Sequence, residues 1–164
     1  MVSREDESIA RAEGLDEIDF KILRVLGRDG RITNLDLAAA INLSTAPTLR
    51  RVKRLERTGV IKGYAAILDP TKVGLTAIVF VTATLDYQTA AAAQTFEAAV
   101  RGLPQVLECH QVAGEFDYLL KIAAPDLESY QRFATDVITS IPVIAHIRTL
   151  IPMRHVKTDA PFPI

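Results

Sequence analysis

The chain has little of what disulfide-bonded and membrane proteins require. Cys109 is the only cysteine among 164 residues, so no disulfide can form within the chain, and a reducing compartment is the simplest expectation. No apolar stretch approaches the ~18 residues of a membrane span, and no leading segment combines basic residues with an apolar run. With 49% hydrophobic and 24% charged residues, the composition is that of an ordinary globular protein. We therefore expect a cytoplasmic protein without a membrane partner.

The motifs of common enzyme and metal sites are also missing. The chain has no nucleophile elbow, phosphate loop or zinc-protease motif, and Gly27-x-x-Gly30 is too short to signal a nucleotide site. His110, His146 and His155 do not have the spacing of a metal-binding set. These absences predict a protein with no catalytic residues, no metal site and no cofactor.

Charge is distributed unevenly along the chain, although the formal net charge is only −1. Residues 1–19 carry two basic and seven acidic side chains, and we assign 1–14 to an acidic N-terminal tail. Residues 44–63 carry six basic side chains and one acidic side chain, which is a local charge of +5. A cationic segment of this density is typical either of a nucleic-acid contact or of a solvated helix face.

Three amphipathic helices are predicted in the N-terminal third. The first begins at Asp16 or Asp19, and the second begins at Thr33. The third follows Ser44, a good N-cap residue, and ends at Gly59. At 100° per residue the third helix has an apolar and a cationic arc on nearly opposite sides. The apolar arc comprises Leu49, Val52 and Leu55, and the cationic arc comprises Arg50, Lys53, Arg54 and Arg57.

A short helix, a tight turn and a cationic helix form the arrangement of a helix-turn-helix DNA-binding domain. We assign residues 15–62 to this domain and residues 63–74 to a linker, with a small wing strand in the segment 60–70. The alternative is that the charges only solvate an exposed helix. The order of three capped helices favours DNA binding.

Residues 75–157 alternate strands and helices in the order βαββαβ, which is the order of a ferredoxin-like sandwich. The fold class is therefore α+β, with residues 158–164 left as a C-terminal tail. Two helices cover only one face of the sheet, while apolar residues point both ways along the strand at 77–81. The open face should be buried against a second chain. The predicted strands are 75–85, 106–113, 117–123 and 143–151, and the predicted helices are 89–103 and 126–141.

Motifs in both halves resemble one family. They are L-D-E-I-D-F-K-I-L at 15–23, D-G-R-I-T-N at 29–34, R-V-K-R-L-E-R-T-G-V-I at 51–61 and E-C-H-Q-V-A-G-E-F-D-Y-L-L-K at 108–121. Over about residues 15–157 the chain resembles the Lrp/AsnC family of feast/famine regulators. The resemblance implies a winged helix-turn-helix domain, a ferredoxin-like domain of the RAM type, and an amino-acid effector. It also implies homodimers that assemble into a higher oligomer, most often an octamer.

Two positions depart from the family's usual pattern. The start of the third helix is S-T-A-P-T at 44–48 instead of S-P-x-P-C, which bears on base preference. The hairpin carries Glu115 where the family usually has Asp, which bears on the width of the effector pocket.

Candidate DNA contacts lie on the third helix. Side chains of its first turn can reach base edges, and its basic flank can bind phosphates. The base-edge candidates are Ser44, Thr45, Thr48, Arg50 and Arg51, and the phosphate candidates are Lys53, Arg54 and Arg57. Ser44 has the alternative role of a simple helix cap.

Candidate effector contacts lie on the hairpin near residue 114. Gly114 permits a backbone approach that a Cβ would block, and Asp117 offers a carboxylate to an α-ammonium group. The alternative is a plain hairpin, in which Gly114 supplies the turn and Asp117 bonds the backbone. The family resemblance favours an effector site and implies five further lining residues, which are Gln111, Tyr118, Thr149, Leu150 and Ile151.

These observations predict a sequence-specific transcriptional regulator that binds a symmetric operator in double-stranded DNA and responds to an amino acid. The rival hypothesis is an amino-acid-sensing module that docks on a metabolic enzyme. The cationic arc argues against it, because a protein-docking surface has no need of that charge density. A third hypothesis is RNA binding through the sheet. The predicted sheet lacks the aromatic pair that stacks on bases in such proteins.

Overall fold

The computed structural model describes residues 14–164, so the predicted acidic tail lies outside the described residues except for Gly14. The chain divides into two compact units. The first contains residues up to Ile67 together with Lys157–Ile164, a segment that we call the C-terminal arm. The second is Leu68–Val156. Among the described residues, no helix is long and apolar enough to cross a bilayer.

The first unit contains three helices, which are α1 (Glu17–Leu26), α2 (Asn34–Ala40) and α3 (Thr45–Arg57). Asp16 and Asp19 form a reciprocal capping box at the start of α1, with N···O distances of 2.9 and 3.0 Å. Thr33 caps α2 by accepting from the amide of Asp36 at 3.1 Å. The helices enclose a small core of Ile22, Leu37, Ile41, Val52 and Leu55. The predicted three-helix domain is confirmed.

The segment between α3 and the second unit differs from the prediction. No strand forms at residues 60–69, and the only regular element between α3 and residue 77 is a 3₁₀ turn at Pro70–Val73. The strand predicted in the segment 60–70 is therefore not formed within the single chain. The physical reason is that a strand requires a neighbour for its amides and carbonyls, and the described part of the first unit offers none.

The second unit contains β1 (Ala77–Leu85), α4 (Ala90–Arg101), β2 (Val106–Gln111), β3 (Tyr118–Ala124), α5 (Leu127–Phe133) and β4 (Ile144–Leu150). The sheet order is β2-β3-β1-β4, and all three pairings are antiparallel. This topology confirms the predicted βαββαβ fold. The central strand β1 places Val81 opposite both Leu120 on β3 and Thr149 on β4.

The two faces of this sheet have different environments. On one face Val81 and Leu120 are fully buried with Phe96 of α4, whose ring lies 4.4 Å from that of Tyr118. Alternation along the strands places a second apolar row on the opposite face, where it is only partly buried. This row comprises Ile78, Phe80 and Leu119.

The last helical segment is not the single α-helix that the sequence predicts. After α5 the chain continues as a π-helix at Ala134–Ile138, in which the amide of Thr139 donates to the carbonyl of Ala134 at 3.0 Å. The wider turn keeps Ala134, Ile138 and Ile141 buried beneath the sheet.

Candidate functional site

Fewer basic side chains of α3 are free of carboxylate partners, within the described residues, than the sequence suggests. Arg50, Lys53 and Arg57 are exposed, and none of them forms an ion pair with any residue in the described range 14–164. They lie along a shallow concavity that α3 shares with Asp16. These three side chains are available to an anionic partner such as a phosphate backbone.

Arg51 and Arg54 are engaged by carboxylates at the start of α1. Arg51 donates to Asp16 at 2.7 Å and to Asp19 at 3.0 Å, while Arg54 donates to the other oxygen of Asp19. Asp19 is fully buried, whereas the Arg51 and Arg54 side chains are 26% and 40% exposed. Their guanidinium groups hold α3 against α1, and the DNA contacts predicted for Arg51 and Arg54 stay predictions.

Two members of this network, Asp16 and Arg51, have pKa values shifted in favour of their charged forms. Hydrogen bonds from Arg51 to Asp16 and then to Asp19 raise the pKa of the Arg51 guanidinium above its usual value. Partial burial by itself would raise the pKa of Asp16, but the bonds from the Asp19 amide and from Arg51 outweigh it and lower that pKa. The Arg51–Asp16 ion pair therefore persists at neutral pH.

The first turn of α3 separates three candidates that the sequence grouped together. Thr48 is fully buried and donates its hydroxyl to the Ser44 carbonyl at 2.9 Å, which argues against the base contact predicted for Thr48. Ser44 occupies the N-cap position, but its side chain makes no capping hydrogen bond. The capping role predicted for its hydroxyl is therefore wrong. Ser44 and Thr45 are both exposed.

The predicted effector residues Gln111, Gly114, Asp117 and Tyr118 lie together at the hairpin between β2 and β3. The amide of Val112 donates to the Asp117 carbonyl at 2.9 Å and closes the hairpin. Gly114 has φ +157°, and a Cβ built on it would meet no atom within 4 Å. Open space therefore adjoins the backbone at this position.

Asp117 has a structural role, although its carboxylate bonds the end of β1 and not the turn of its own hairpin. One carboxylate oxygen accepts from the backbone amide of Leu85 at 2.8 Å, and the other accepts from the Gln88 side chain at 3.3 Å. The carboxylate also borders a pocket of about 250 Å³ between the hairpin and the start of α4. Its lining residues are Leu85, Gln88, Thr89, Ala90, Ala93, Gln111, Asp117 and Tyr118. Asp117 therefore both holds the end of β1 and faces a small cavity.

Tyr118 forms the buried wall of this pocket. Its hydroxyl donates to Glu97 on α4 at 3.0 Å. Burial, reinforced by this bond to a carboxylate, raises the pKa of Tyr118 to about 12. The Tyr118 hydroxyl consequently stays protonated at physiological pH and lines the pocket as a neutral hydrogen-bonded group.

Thr149, Leu150 and Ile151 do not join the hairpin within one chain. Thr149 and Leu150 lie on β4, and β3 and β1 separate that strand from β2. Thr149 shares a hydrogen bond with Tyr130, whereas Leu150 and Ile151 are exposed. Within one chain these three residues therefore lie apart from the hairpin, and their place in the effector site stays a prediction. Opposite sheet edges cannot meet without a second copy.

Sequence reasoning missed two parts of these sites. It did not identify the pocket residues that follow β1, such as Gln88 and Ala93, although Thr89 carries the signal of a helix cap. It also did not connect Asp19 with α3, because 32 residues separate Asp19 from Arg51. Among residues 14–164, no group of three or more His, Cys, Asp or Glu side chains is placed to hold a metal ion.

Comparisons with known proteins match both units. Residues 15–62 match the family described as winged helix-turn-helix DNA-binding, and residues 78–162 match the Lrp/AsnC ligand binding domain. The leucine-responsive regulatory protein of Salmonella typhimurium is 42% identical over 143 residues, which is 87% of each chain. The protein of the same name from Escherichia coli K12 is 41% identical over the same length and shares.

Solved structures give the same result. A transcriptional regulator from Neisseria meningitidis, crystallised in complex with L-methionine, is 35% identical with a TM-score of 0.87, covering 91% of this chain and 96% of its own. An AsnC family transcriptional regulator from Agrobacterium tumefaciens is 34% identical with a TM-score of 0.85, covering 91% and 97%. E. coli AsnC, at 22% identity and a TM-score of 0.80 over 88% and 95%, shares the fold.

Proposed function

The chain belongs to the Lrp/AsnC family of transcriptional regulators, and from that membership we propose how its two units contact DNA and effector. The relatives are regulators and not enzymes, so the chain is a DNA-binding regulator with a ligand-binding domain. This finding removes the support for a module that docks on a metabolic enzyme.

The exposed side of α3 is the proposed DNA contact. Ser44, Thr45 and Arg50 lie where the first turn of a recognition helix meets base edges in the major groove. Lys53 and Arg57 continue along the same exposed side and bind phosphates. The observation that carries this assignment is that these basic side chains are exposed and unpaired within residues 14–164, whereas Arg51 and Arg54 are bound to carboxylates.

The proposed effector is an amino acid bound at the pocket beside the hairpin. The Asp117 carboxylate supplies a negative partner for the α-ammonium group, and the first-turn amides of α4 supply donors for the α-carboxylate. Gly114 leaves space for the ligand to approach the backbone. Two relatives support this class, since the Neisseria meningitidis regulator was crystallised with L-methionine and the Salmonella typhimurium relative is a leucine-responsive regulatory protein.

The proposed assembly is a homodimer that binds a symmetric operator and associates further, with an octamer as the expected form. The half-buried apolar row of Ile78, Phe80 and Leu119 requires a cover, and a second copy provides it. The separation of Thr149–Ile151 from the hairpin supports an effector site completed by two chains. A cytoplasmic location is proposed because the regulator binds DNA and because Cys109 is a free thiol.

Calorimetric titration of the twenty amino acids tests the effector site. We expect at least one to bind the wild-type protein, and Gly114→Gln to abolish binding by filling the space at the hairpin. Asp117→Asn keeps an acceptor for the Leu85 amide but removes the charge, so binding should weaken by roughly 10- to 100-fold. Asp136→Asn is the matched control, because Asp136 is exposed, belongs to the same unit and lies outside the pocket lining.

Two further measurements on the same samples complete this test. Sedimentation with and without the ligand should show a change in association, because a ligand shifts an equilibrium only through its differential affinity for the two states. Selection of bound fragments from random DNA should give a symmetric consensus. Absence of any amino acid that binds below millimolar concentration, or equal binding by Gly114→Gln, would contradict the effector assignment.

A further inference from the structure

The C-terminal arm lies on the DNA-binding unit, although the effector unit precedes it in the chain. The Arg24 side chain on α1 donates through Nε to the carbonyl oxygen of Ile164 at 2.6 Å, across a sequence separation of 140 residues. A Cβ built on Gly27, just after α1, would lie 3.6 Å from the Cβ of Pro161. Ile164 is partly buried. The arm therefore bonds α1 at Arg24 and passes close to Gly27, the residue that caps the helix.

These contacts belong to an apolar groove along α1. The helix buries Ile22 in the three-helix core, but its apolar surface is wider than that core covers. The uncovered part meets the segment that follows α3 and forms a groove with the arm at its edge. The apolar groove residues are Leu15, Phe20, Leu23, Leu26, Val60 and Ile61. Exposed apolar surface of this kind costs free energy in water, so a covering segment stabilises the unit.

The sequence of the arm suits this groove. Residues Pro161–Ile164 read P-F-P-I, in which each proline has a fixed φ and little conformational entropy to lose on docking. Pro161 and Ile164 approach α1, whereas Phe162 is 87% exposed. Ile164 is thus the one partly buried residue of the segment 161–164, and Phe162 is an outward-facing residue.

We propose that the groove on α1 is a docking site for the C-terminal arm of the same chain, and that the docked arm braces α1. Since α1 also carries Asp19, which binds Arg51 and Arg54, the arm supports the helix that orients the recognition helix. The DNA-binding unit is then a discontinuous domain completed by the segment that follows the effector unit.

Paired cysteines test where the arm docks. In a Cys109→Ser background, Gly27→Cys and Pro161→Cys place two thiols at a Cβ separation that suits a disulfide, about 3.5 to 4.5 Å. Mild oxidation should give a disulfide within one chain, detected as a faster band on a non-reducing gel and by mass. The control pair of Gly27→Cys with Phe162→Cys should react more slowly, because the side chain at 162 faces solvent.

Each outcome of the cross-linking is decisive. A disulfide within one chain supports the proposal. A disulfide between two chains would overturn docking in the same chain and assign the groove to the arm of a second copy. Absence of any cross-link, with both thiols titratable, would show that the arm does not dock.

Hydrogen exchange on the full chain tests the bracing of α1. Ile164→Asp places a charge at the partly buried position, and Phe162→Asp places the same charge at the exposed position. Ile164→Asp should make hydrogen exchange of the α1 amides about tenfold faster, because losing the apolar burial of Ile164 lowers the free energy needed to open α1. Phe162→Asp should leave the exchange rate unchanged. The α4 amides of the effector unit serve as an internal reference. Equal α1 exchange in both variants would overturn the bracing.

Discussion

Replacing Asp19 by Asn should test whether the carboxylate holds the recognition helix in place. The substitution preserves the size of the side chain and an acceptor for the Asp16 amide, but it removes the charge that binds Arg51 and Arg54. Asp19 is fully buried, so its two ion-paired hydrogen bonds are sheltered from water.

The expected loss is about 2 to 3 kcal/mol of the free energy of unfolding. Hydrogen bonds to charged groups contribute roughly 1.5 to 3 kcal/mol each. The loss is smaller than the sum of two, because the Arg51 and Arg54 side chains are 26% and 40% exposed and can turn toward water. The neutral asparagine side chain at position 19 also avoids the desolvation cost of a buried carboxylate, which offsets a further part of the loss in unfolding free energy.

Urea unfolding followed by far-UV circular dichroism measures this loss as a shift of roughly 1 M in the midpoint. Glu17→Gln on the same helix is the control, because the Glu17–Lys21 pair is largely exposed and should contribute at most about 0.5 kcal/mol. Binding to nonspecific DNA supplies a second readout. Arg54 released from Asp19 should steepen the salt dependence by about one unit of slope, whereas Arg51 keeps its bond to Asp16. An Asp19→Asn variant with wild-type midpoint and wild-type salt slope would refute the reasoning.

Two other predictions follow from the contacts described. Arg50→Ala should lower the salt slope of DNA binding by about one unit and relax preference at one base position, whereas Arg54→Ala should mainly lower the unfolding midpoint. Titrations on matched and scrambled operators measure the first effect, and urea melts of both variants measure the second. Equal effects of the two substitutions would contradict the different roles assigned to the two arginines. The raised pKa of Tyr118 means that its stabilising contribution is complete below pH 10 and is lost as the pH rises toward 12. Tyr118→Phe should flatten the fall of unfolding free energy in that range, while Tyr87→Phe, at an exposed position, should not.

The element order was predictable because its signals are local. Thr33, Thr89 and Asp126 each cap a helix in the structure by accepting a backbone amide three residues ahead, which is a pattern visible in sequence. The π-helix after α5 was not predictable, since Ala134, Ile138 and Ile141 keep a spacing that also fits an α-helix. Only the Thr139 amide, bonded five residues back, distinguishes the two.

The sites were less predictable because their chemistry depends on contacts between distant residues. Helical spacing placed Arg54 on the cationic arc, but a carboxylate 35 residues earlier decides what Arg54 binds. Thr48 looked like a base-edge residue, yet its hydroxyl is satisfied by a carbonyl one turn back and can be buried at little cost. The position of Asp117 fits two roles at once. Its carboxylate bonds the Leu85 amide, as a structural residue would, and it also borders the pocket, as an effector contact would.

The discontinuity of the DNA-binding unit has a consequence for synthesis on the ribosome. Helices α1 to α3 emerge first and can form their core at once, because their contacts are local. The arm emerges only after the contiguous effector unit, Leu68–Val156. The groove on α1 therefore stays uncovered while the whole sheet is being translated. During that interval the nascent chain presents an apolar surface that a chaperone or a neighbouring nascent copy can bind, and emergence of the arm brings the cover.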